Sequence, residues 1–208
     1  MAALKGLYAI TDERLTPKDT VLDQVKECLK GGTRIVQLRE KSSSDEILLP
    51  LARKLKQLCE GCGAVFLVND RVELARQAGA DGVHLGKDDT DMEKARQILG
   101  PSAIIGISCY NELERAVFFE KKGADYVAFG SFFPSPTKPD AVKAPVELIA
   151  RAKALLNIPV CAIGGITSEN ARELISQGVD MVAVISDLWK ARDIRAKAQM
   201  FQRLFERL

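Results

Sequence analysis

The sequence has no long apolar run, and this absence limits where the protein can reside. No apolar segment approaches the roughly 18 residues that a membrane-spanning helix needs. The first residues, Met1–Gly6, also lack the apolar stretch of a secretory signal peptide. We therefore expect a cytoplasmic protein without a membrane partner.

An excess of charge of either sign is also missing. The 208-residue chain carries 30 Lys and Arg against 28 Asp and Glu, a formal net charge of +2. Nucleic-acid-binding proteins usually show a clear basic excess, so we expect small-molecule ligands and no nucleic acid. Because 47% of the residues are hydrophobic, the chain can bury a substantial core, and we predict one domain over residues 1–208.

Cysteine and histidine are scarce. Five cysteines, an odd number, indicate reduced thiols in a chain without a secretion signal. Cys59 and Cys62 form a C-x-x-C motif, but it closes a predicted helix and no second pair completes a zinc site, which disfavours a redox or metal role. The single histidine, His84, falls inside a predicted strand and is interpreted as buried and hydrogen-bonded, not as a catalyst.

What the chain does contain is a repeated junction between helix and strand. Four similar segments carry a glycine suited to a left-handed helix end, at Gly31, Gly79, Gly123 and Gly178. Their spacing is about twice the length of one strand–helix unit, which predicts eight units. The predicted strands are 6–11, 34–39, 65–69, 82–85, 104–107, 126–130, 159–163 and 181–185. The predicted helices are 20–30, 44–59, 71–78, 90–99, 111–122, 145–156, 168–177 and 193–207.

Eight alternating units in one domain indicate an α/β protein with a single-domain (β/α)₈ TIM barrel. A doubly wound open sheet is the alternative, disfavoured by the count of eight and by the lack of a G-x-G-x-x-G turn after the first strand. Within the second helix, Ser43–Glu46 is expected to form a capping box. Pro50 lies inside the same helix and is expected to kink it.

Polar residues gather where several predicted strands end. Gln37, Arg39 and Lys41 alternate along the second strand and its end, so they share one face and form a candidate anion site. Asp70 and Asp89 follow neighbouring strands, and such a pair of carboxylates suits one Mg²⁺ that also accepts substrate phosphate oxygens. The carboxyl ends of the strands are where a barrel builds its active site.

Two further segments complete the candidate site. Gly164–Gly165 and Ile185–Ser186 follow the last two strands, the usual position of a phosphate site in these barrels. The segment Phe129–Pro139 opens the longest stretch without periodicity and is predicted to be a binding loop that carries Lys138.

A purely structural interpretation of the acidic residues stays open at this point. Asp88 or Asp89 could precede the helix at Met92, and Asn69–Asp70 could cap the helix at Val72. Charged residues in loops are often no more than solvated surface groups or caps.

Eight motifs together resemble the thiamine phosphate synthase family. They occur in family order over nearly the whole chain: Tyr8–Asp12, Val36–Lys41, Leu67–Asp70, Gly82–Gly86, Gly106–Ser108, Ser135–Lys138, Ile163–Ile166 and Val184–Ser186. The resemblance implies an enzyme that joins hydroxymethylpyrimidine diphosphate to hydroxyethylthiazole phosphate, or its carboxylated form, and releases pyrophosphate. It also implies a dissociative mechanism, in which pyrophosphate leaves and the thiazole nitrogen captures a pyrimidine-stabilised carbocation.

The resemblance further implies roles for particular residues. The pyrimidine diphosphate would be bound by Gln37, Leu38, Arg39, Glu40, Lys41, Asn69, Ser108 and Lys138. The thiazole phosphate would be bound by Ser135, Pro136, Thr137, Gly165, Ile185 and Ser186. Catalytic roles are implied for Lys138, Arg39, Lys41 and Ser108, and one Mg²⁺ per subunit would be held by Asp70 and Asp89. The chain offers no evident Ser-His-Asp or Cys-His nucleophile, which suits this mechanism.

Four positions depart from the family pattern: Lys87 where Gln is usual, Tyr110 where His is usual, Ser135 where Thr is usual, and Asp187 where Ala is common. Asp187 would weaken phosphate binding unless it points away as a helix cap. A thiazole tautomerase-like barrel is an alternative, but there the metal aspartates should be lost and a catalytic histidine present. A phosphosugar isomerase barrel and a non-catalytic phosphate-binding homologue are further alternatives, and the sequence indicates no oligomeric state.

Overall fold

The computed structural model describes residues 4–134 and 142–206, in which strands and helices alternate along the chain. The strands are β1 (Gly6–Ile10), β2 (Ile35–Leu38), β3 (Val65–Asn69), β4 (Gly82–Leu85), β5 (Ile104–Tyr110), β6 (Tyr126–Phe129), β7 (Val160–Ile163) and β8 (Met181–Val184). The helices are α1 (Val21–Lys30), α2 (Asp45–Gly61), α3 (Val72–Ala78), α4 (Met92–Leu99), α5 (Leu113–Lys121), α6 (Leu148–Leu155), α7 (Ala171–Ser176), α8 (Ser186–Trp189) and α9 (Ile194–Glu206).

The eight strands form a closed parallel barrel in chain order. β1 pairs with β2 on one side, where Tyr8 lies opposite Ile35. On its other side β1 pairs with β8, where Gly6 lies opposite Met181. This last pairing closes the barrel, confirms the predicted (β/α)₈ fold and excludes the open sheet.

Alternation along the strands separates two apolar cores. One core fills the barrel and includes Tyr8, Ile35, Leu67, Tyr126 and Met181. The other lies between the strands and the helices and includes Leu7, Val36, Phe66, Val127 and Val182. Successive residues of one strand therefore point in turn into the barrel and toward the helices. Only the residues that point into the barrel can reach the mouth of the barrel.

A repeated carboxylate clamp holds three helix–strand junctions. Three aspartates, Asp81, Asp125 and Asp180, each accept a 2.8 Å hydrogen bond from the backbone N–H of Phe66, Ile105 and Val160 respectively. Each also pairs with a cation of an earlier helix, namely Lys56, Arg96 and Lys153. The same side chain therefore ties the start of one strand to a helix on the outside of the barrel.

The structure tests part of what was expected of α2. The helix continues through Pro50, with Leu48, Ala52 and Leu55 buried on the two sides of the proline, and the kink expected there stays a prediction. The capping box is wrong: Ser44 is the N-cap residue, and its side chain makes no capping bond. At the first junction Gly32, with φ of 100°, takes the left-handed conformation expected of Gly31.

Two further observations concern the helices. The short helix α8 follows β8 and is additional to the predicted set; it is anchored where Trp189 Nε1 donates to the Ile10 carbonyl at 2.6 Å. Across residues 4–134 and 142–206, none of the helices combines the length and the apolar character that crossing a bilayer requires.

Candidate active site

A cavity of about 490 Å³ opens at the carboxyl ends of the strands. All eight strands, or the loops that directly follow them, contribute to its lining. Gly164 lines it, as do seven of the residues assigned to substrate by the resemblance: Gln37, Arg39, Asn69, Ser108, Gly165, Ile185 and Ser186. The barrel thus brings together side chains that lie up to about 150 positions apart in the sequence.

The end of β2 supplies polar groups to this cavity. Gln37 is buried, and its Nε2 donates to the Tyr8 hydroxyl at 2.6 Å. Arg39 lines the cavity and also borders a second one of about 390 Å³, which Leu38 and Glu40 line. Lys41 is exposed, and its Nζ lies 3.3 Å from Asp70 Oδ2. Gln37 and Arg39 therefore share a face as predicted, whereas Lys41, predicted on the same face, is not among the residues that line the cavity. Leu38 packs in the layer between strands and helices.

Glu40 has a structural environment of its own. Its Oε1 accepts hydrogen bonds from Ser42 Oγ at 2.8 Å and from the Ser43 backbone N–H at 2.9 Å. Burial alone would raise the pKa of Glu40, but the hydrogen bonds from Ser43 and Ser42 outweigh it and lower the pKa to about 2. The carboxylate is therefore charged at neutral pH and holds the loop that follows β2.

The acidic residues after β3 and β4 are not helix caps. The cap of α4 is Asp91, whose carboxylate accepts from the backbone N–H groups of Glu93 and Lys94. At α3 the N-cap residue is Arg71, without a side-chain capping bond. The structural interpretation of Asp70, Asp88 and Asp89 as caps is therefore wrong.

Asp70 instead occupies a strained position. Its φ is 53°, a left-handed conformation that residues other than glycine adopt rarely. Asn69 Nδ2 donates to Asp70 Oδ2 at 2.7 Å, and the Asp70 backbone N–H donates to the His84 carbonyl at 3.0 Å. Strain of this kind persists where the surrounding structure fixes it and is common at functional sites.

Asp89 lies in the exposed loop after β4. Its Oδ2 accepts a hydrogen bond from the Gly86 backbone N–H at 2.6 Å. Together with Asp70 and the amide of Asn69 it offers hard oxygen donors after adjacent strands. Mg²⁺ commonly takes one or two carboxylates and completes its shell with water and substrate phosphate, so this donor set fits the ion. No group of three His, Cys, Asp or Glu side chains gathers within residues 4–134 and 142–206.

The loops after β7 and β8 lie at the opposite side of the mouth. Gly165 has φ of 63°, and a β-carbon there would overlap the Pro134 carbonyl. Only glycine fits this position. Ser186 begins the short helix α8 and lines the cavity.

Two of the departures from the family pattern have clear partners. Asp187 Oδ2 accepts from the Ser168 backbone N–H at 3.0 Å and lies 3.3 Å from Lys197 Nζ, so its negative charge is balanced. Tyr110 has φ of 55°, and its hydroxyl accepts from the Lys87 backbone N–H at 3.2 Å. Tyr110 thus holds the loop that carries Asp89.

Three site residues were given no function from the sequence. Tyr8, His84 and Tyr126 lie in the barrel wall, the first two line the cavity, and their polar atoms are hydrogen-bonded to one another or to Ser108. The interpretation of His84 as hydrogen-bonded is confirmed, but the residue is half-buried and not buried as expected. The signal in the sequence was an aromatic residue with a polar atom at its end inside an apolar strand, because such an atom needs a hydrogen-bond partner when it is buried.

Cys161 also lines the cavity but is not a thiolate. Burial raises the pKa of this thiol far above its ordinary value, so it stays protonated at neutral pH. Four predicted residues, Ser135, Pro136, Thr137 and Lys138, lie outside the described residues. The ends of that segment meet where the Ser131 backbone N–H donates to the Val142 carbonyl at 3.0 Å.

Comparison with known proteins agrees with the motifs. The model of the thiamine monophosphate synthase family matches residues 7–188. Thiamine-phosphate synthases of Nitrosococcus oceani and Marinobacter nauticus are 47% and 49% identical over 204 residues, spanning 98% and 97% of this chain and 94% and 91% of theirs. The chain belongs to the thiamine monophosphate synthase family.

One solved structure is similar to this chain in both fold and sequence. Thiamine phosphate pyrophosphorylase from Pyrococcus furiosus superimposes with a TM-score of 0.88 at 40% identity, covering 98% of this chain and 96% of that chain. The predicted resemblance, the barrel fold and the predicted class of enzyme, a thiamine phosphate-forming transferase, are confirmed.

Proposed function

We propose that the protein transfers the hydroxymethylpyrimidine group from its diphosphate to the ring nitrogen of a thiazole phosphate and releases pyrophosphate. The observation that carries the proposal is the cavity of about 490 Å³ at the barrel mouth. It combines neutral polar groups in its floor, such as Gln37 and Ser108, with Arg39 at the end of β2. A heteroaromatic ring with a diphosphate matches that combination of a neutral floor and a charged edge.

The bond changes need no protein nucleophile. The bond between the pyrimidine methylene carbon and the diphosphate oxygen breaks, and its electron pair leaves with pyrophosphate. A new bond from the thiazole nitrogen to that carbon then forms, and the nitrogen becomes positively charged. The protonated Cys161 thiol in the cavity wall is consistent with this substitution, because it offers no anionic sulfur to compete with the thiazole.

Stabilising the leaving group is the main task of the protein. Arg39 and Lys41 follow β2, and Lys138 belongs to the loop after β6. Cations that meet a departing diphosphate lower the barrier most when they are held in place before the reaction. In this proposal Arg39 and Lys41 bind the diphosphate, and Lys138 acts on it as charge develops.

We assign Asp70 and Asp89 to one Mg²⁺. When bound, the ion would neutralise part of the charge of the diphosphate leaving group. Asn69 orients the Asp70 carboxylate through its 2.7 Å hydrogen bond, and Tyr110 holds the loop of Asp89. Lys41 lies 3.3 Å from Asp70, and we assign it to the same diphosphate.

The thiazole phosphate is assigned to the loops after β7 and β8. Gly165 lines the cavity, where its missing side chain makes room for the Pro134 carbonyl, and Ser186 adds a hydroxyl group. Asp187 does not oppose the phosphate with a free charge, because Lys197 and the Ser168 N–H already engage its carboxylate. Ser135, Pro136 and Thr137 are assigned to this ligand by family resemblance.

We also propose that the protein works in the cytoplasm on small molecules alone. All five cysteines are free, and four of them are buried, as expected in a reducing compartment.

The test is turnover with both substrates. The purified protein is incubated with Mg²⁺, hydroxymethylpyrimidine diphosphate and hydroxyethylthiazole phosphate, and thiamine phosphate and pyrophosphate are quantified separately. Equal amounts of the two products are expected, and neither should form when one substrate is omitted. Pyrophosphate without thiamine phosphate would indicate a hydrolase. Binding of both ligands without any product would support the non-catalytic alternative.

A further inference from the structure

Five polar side chains from five strands form a continuous hydrogen-bond chain across the barrel. Gln37 Nε2 contacts the Tyr8 hydroxyl at 2.6 Å, and the Tyr8 hydroxyl contacts that of Tyr126 at 2.9 Å. The Tyr126 hydroxyl contacts His84 Nδ1 at 2.9 Å, and His84 Nε2 contacts Ser108 Oγ at 2.9 Å. We call these residues the interior chain; it ends at Ser108, which lines the cavity.

Counting hydrogens gives this chain a direction. The amide nitrogen of Gln37 can only donate, so the Tyr8 hydroxyl accepts from it. Burial raises the pKa values of Tyr8 and Tyr126 well above the ordinary tyrosine value, so each hydroxyl keeps its one hydrogen. In the arrangement that gives each of these hydrogens a partner, Tyr8 donates to Tyr126, and Tyr126 donates onward to His84 Nδ1.

We propose that the interior chain holds neutral His84 as the tautomer with hydrogen on Nε2, and thereby turns the Ser108 hydroxyl hydrogen toward the cavity. With Nδ1 accepting from Tyr126, the remaining imidazole hydrogen lies on Nε2 and is donated to Ser108 Oγ. Ser108 then keeps its own hydrogen for a ligand. Tyr8 and Tyr126 are positioning residues that act through His84.

The direction of the chain determines which ligand atom can bind. A Ser108 hydroxyl that accepts from His84 presents a donor to the cavity, so it selects a hydrogen-bond acceptor such as a ring nitrogen. In the opposite direction Ser108 would donate to His84 and could offer a ligand only lone pairs. Sites built to pair with one polar group reject analogues that lack it. The identity of that acceptor as a pyrimidine atom rests on the proposed function, whereas the tautomer does not.

Packing fixes the geometry of the chain. The His84 and Tyr126 rings stack with an interplanar angle of 28° and centroids 5.5 Å apart, and the Tyr8 ring meets Tyr126 edge-on at 77°. Because Gly106, opposite Tyr126 in the β5–β6 register, has no side chain, the Tyr126 ring can lie over it. The rings are therefore held by neighbours on several strands, as a preorganised site requires.

The experiment uses the fact that His84 is the only histidine. The ¹⁵N chemical shifts of its two ring nitrogens, in ligand-free labelled protein about 1.5 pH units above the ordinary histidine pKa of ~6.5, report the tautomer directly. We expect hydrogen on Nε2. Hydrogen on Nδ1 would overturn the proposal. Because no substrate is present, this result does not depend on the proposed function.

Two tyrosine variants test whether the chain sets the tautomer. Tyr126→Phe removes the donor to Nδ1, and a substantial fraction of the Nδ1–H tautomer is expected. Tyr110→Phe is the matched control, because Tyr110 also lines the cavity but its hydroxyl pairs with the Lys87 backbone. It should leave the His84 nitrogen shifts unchanged. A Tyr126→Phe protein that keeps only hydrogen on Nε2 would show that the tyrosines do not position His84.

A double-mutant cycle then tests whether Tyr126 affects substrate affinity through Ser108. Tyr126→Phe and Ser108→Ala should each weaken substrate affinity by roughly three- to tenfold, the effect of one hydrogen bond. In the Ser108→Ala background, Tyr126→Phe should add little further loss, since both changes remove the same donation. Fully additive losses would contradict the proposed route from Tyr126 to Ser108. If the two changes are non-additive as expected but the protein forms no thiamine phosphate, the proposed function is refuted and the proposed role of the interior chain is not.

Discussion

The ring of Tyr126 occupies the space that a side chain at Gly106 would need. The two residues are register partners on β6 and β5, and a β-carbon at Gly106 would overlap the tyrosine ring. The Tyr126 hydroxyl in turn contacts both Tyr8 and His84 at 2.9 Å. A missing side chain on one strand is therefore what allows a polar contact across the barrel.

Gly106→Ala tests this relationship. The new methyl group must push the Tyr126 ring aside in a packed interior, so we expect a loss of about 1–3 kcal/mol in the free energy of unfolding. Urea denaturation followed by circular dichroism measures it. Gly61→Ala is the control, because the last residue of α2 has open space around it and should be neutral or slightly stabilising. Equal stability of the two variants would contradict the close packing described for Gly106.

The carboxylates of Asp89 and Asp91, which both follow β4, are expected to have different roles, as a metal ligand and a helix cap respectively. Asp89→Ala should abolish the Mg²⁺-dependent activity and weaken Mn²⁺ binding measured in the presence of pyrophosphate. Asp91→Ala should instead lose about 1 kcal/mol of stability, because its carboxylate caps α4, with metal binding unchanged. Unaltered Mn²⁺ affinity in Asp89→Ala would remove this residue from the metal site.

Glu40 should make stability depend on pH at the acid end. Its pKa falls from 4.5 to about 2 on folding, so its contribution is complete above 4.5 and is lost as the pH falls toward 2. Glu40→Gln should therefore be less stable than the natural protein by about 1–3 kcal/mol near neutral pH, with the difference shrinking below 4.5. Urea titrations at a series of pH values measure the difference.

Glu73→Gln is the control for that series. Glu73 also has a lowered pKa, because Arg76 donates hydrogen bonds to it, but the pair is exposed on α3. Solvent screens such a pair, so the variant should change stability far less. A Glu40→Gln protein whose deficit stayed constant down to the lowest pH would show that the carboxylate charge is not responsible.

The order and type of the main elements follow from the sequence because strands buried on both faces and amphipathic helices leave strong patterns. β5 is the exception in length, predicted to end at 107 but observed to reach Tyr110. Its last residues, Ser108 and Tyr110, are polar, and the register shifts between them. Both residues line the cavity, so the apolar pattern that predicts a strand is weaker in the part of β5 that forms the site.

The site was predictable in part for a similar reason. Charged residues after strands, such as Arg39 and Asp70, stand out against their apolar surroundings. Tyr8 and Tyr126 do not, because the sequence alone does not say which face of a strand points into the barrel. The three junction aspartates each lie two positions after a repeated glycine, but only the folded chain brings Asp81 to the Phe66 backbone N–H.

Lys138 should act on the leaving group and not as a base. A cation that stabilises departing pyrophosphate gains strength as charge develops, so Lys138→Ala should slow single-turnover chemistry by roughly 10²-fold or more, with a much smaller change in substrate affinity. Lys138→Arg keeps the charge and should recover part of the rate, although the guanidinium group has a different geometry. Rapid-quench measurement of thiamine phosphate formation gives the rate, and calorimetry gives the affinity.

Lys143→Ala is the matched control for that experiment. Lys143 is an exposed lysine five positions further along, and we assign it no ligand, so its removal changes the net charge equally without touching the diphosphate. Its single-turnover rate should match that of the natural protein. If Lys138→Ala weakened substrate binding while the bound complex reacted at the normal rate, the lysine would serve only to dock the diphosphate. Stabilisation of the leaving group would then rest on Arg39, Lys41 and the metal site.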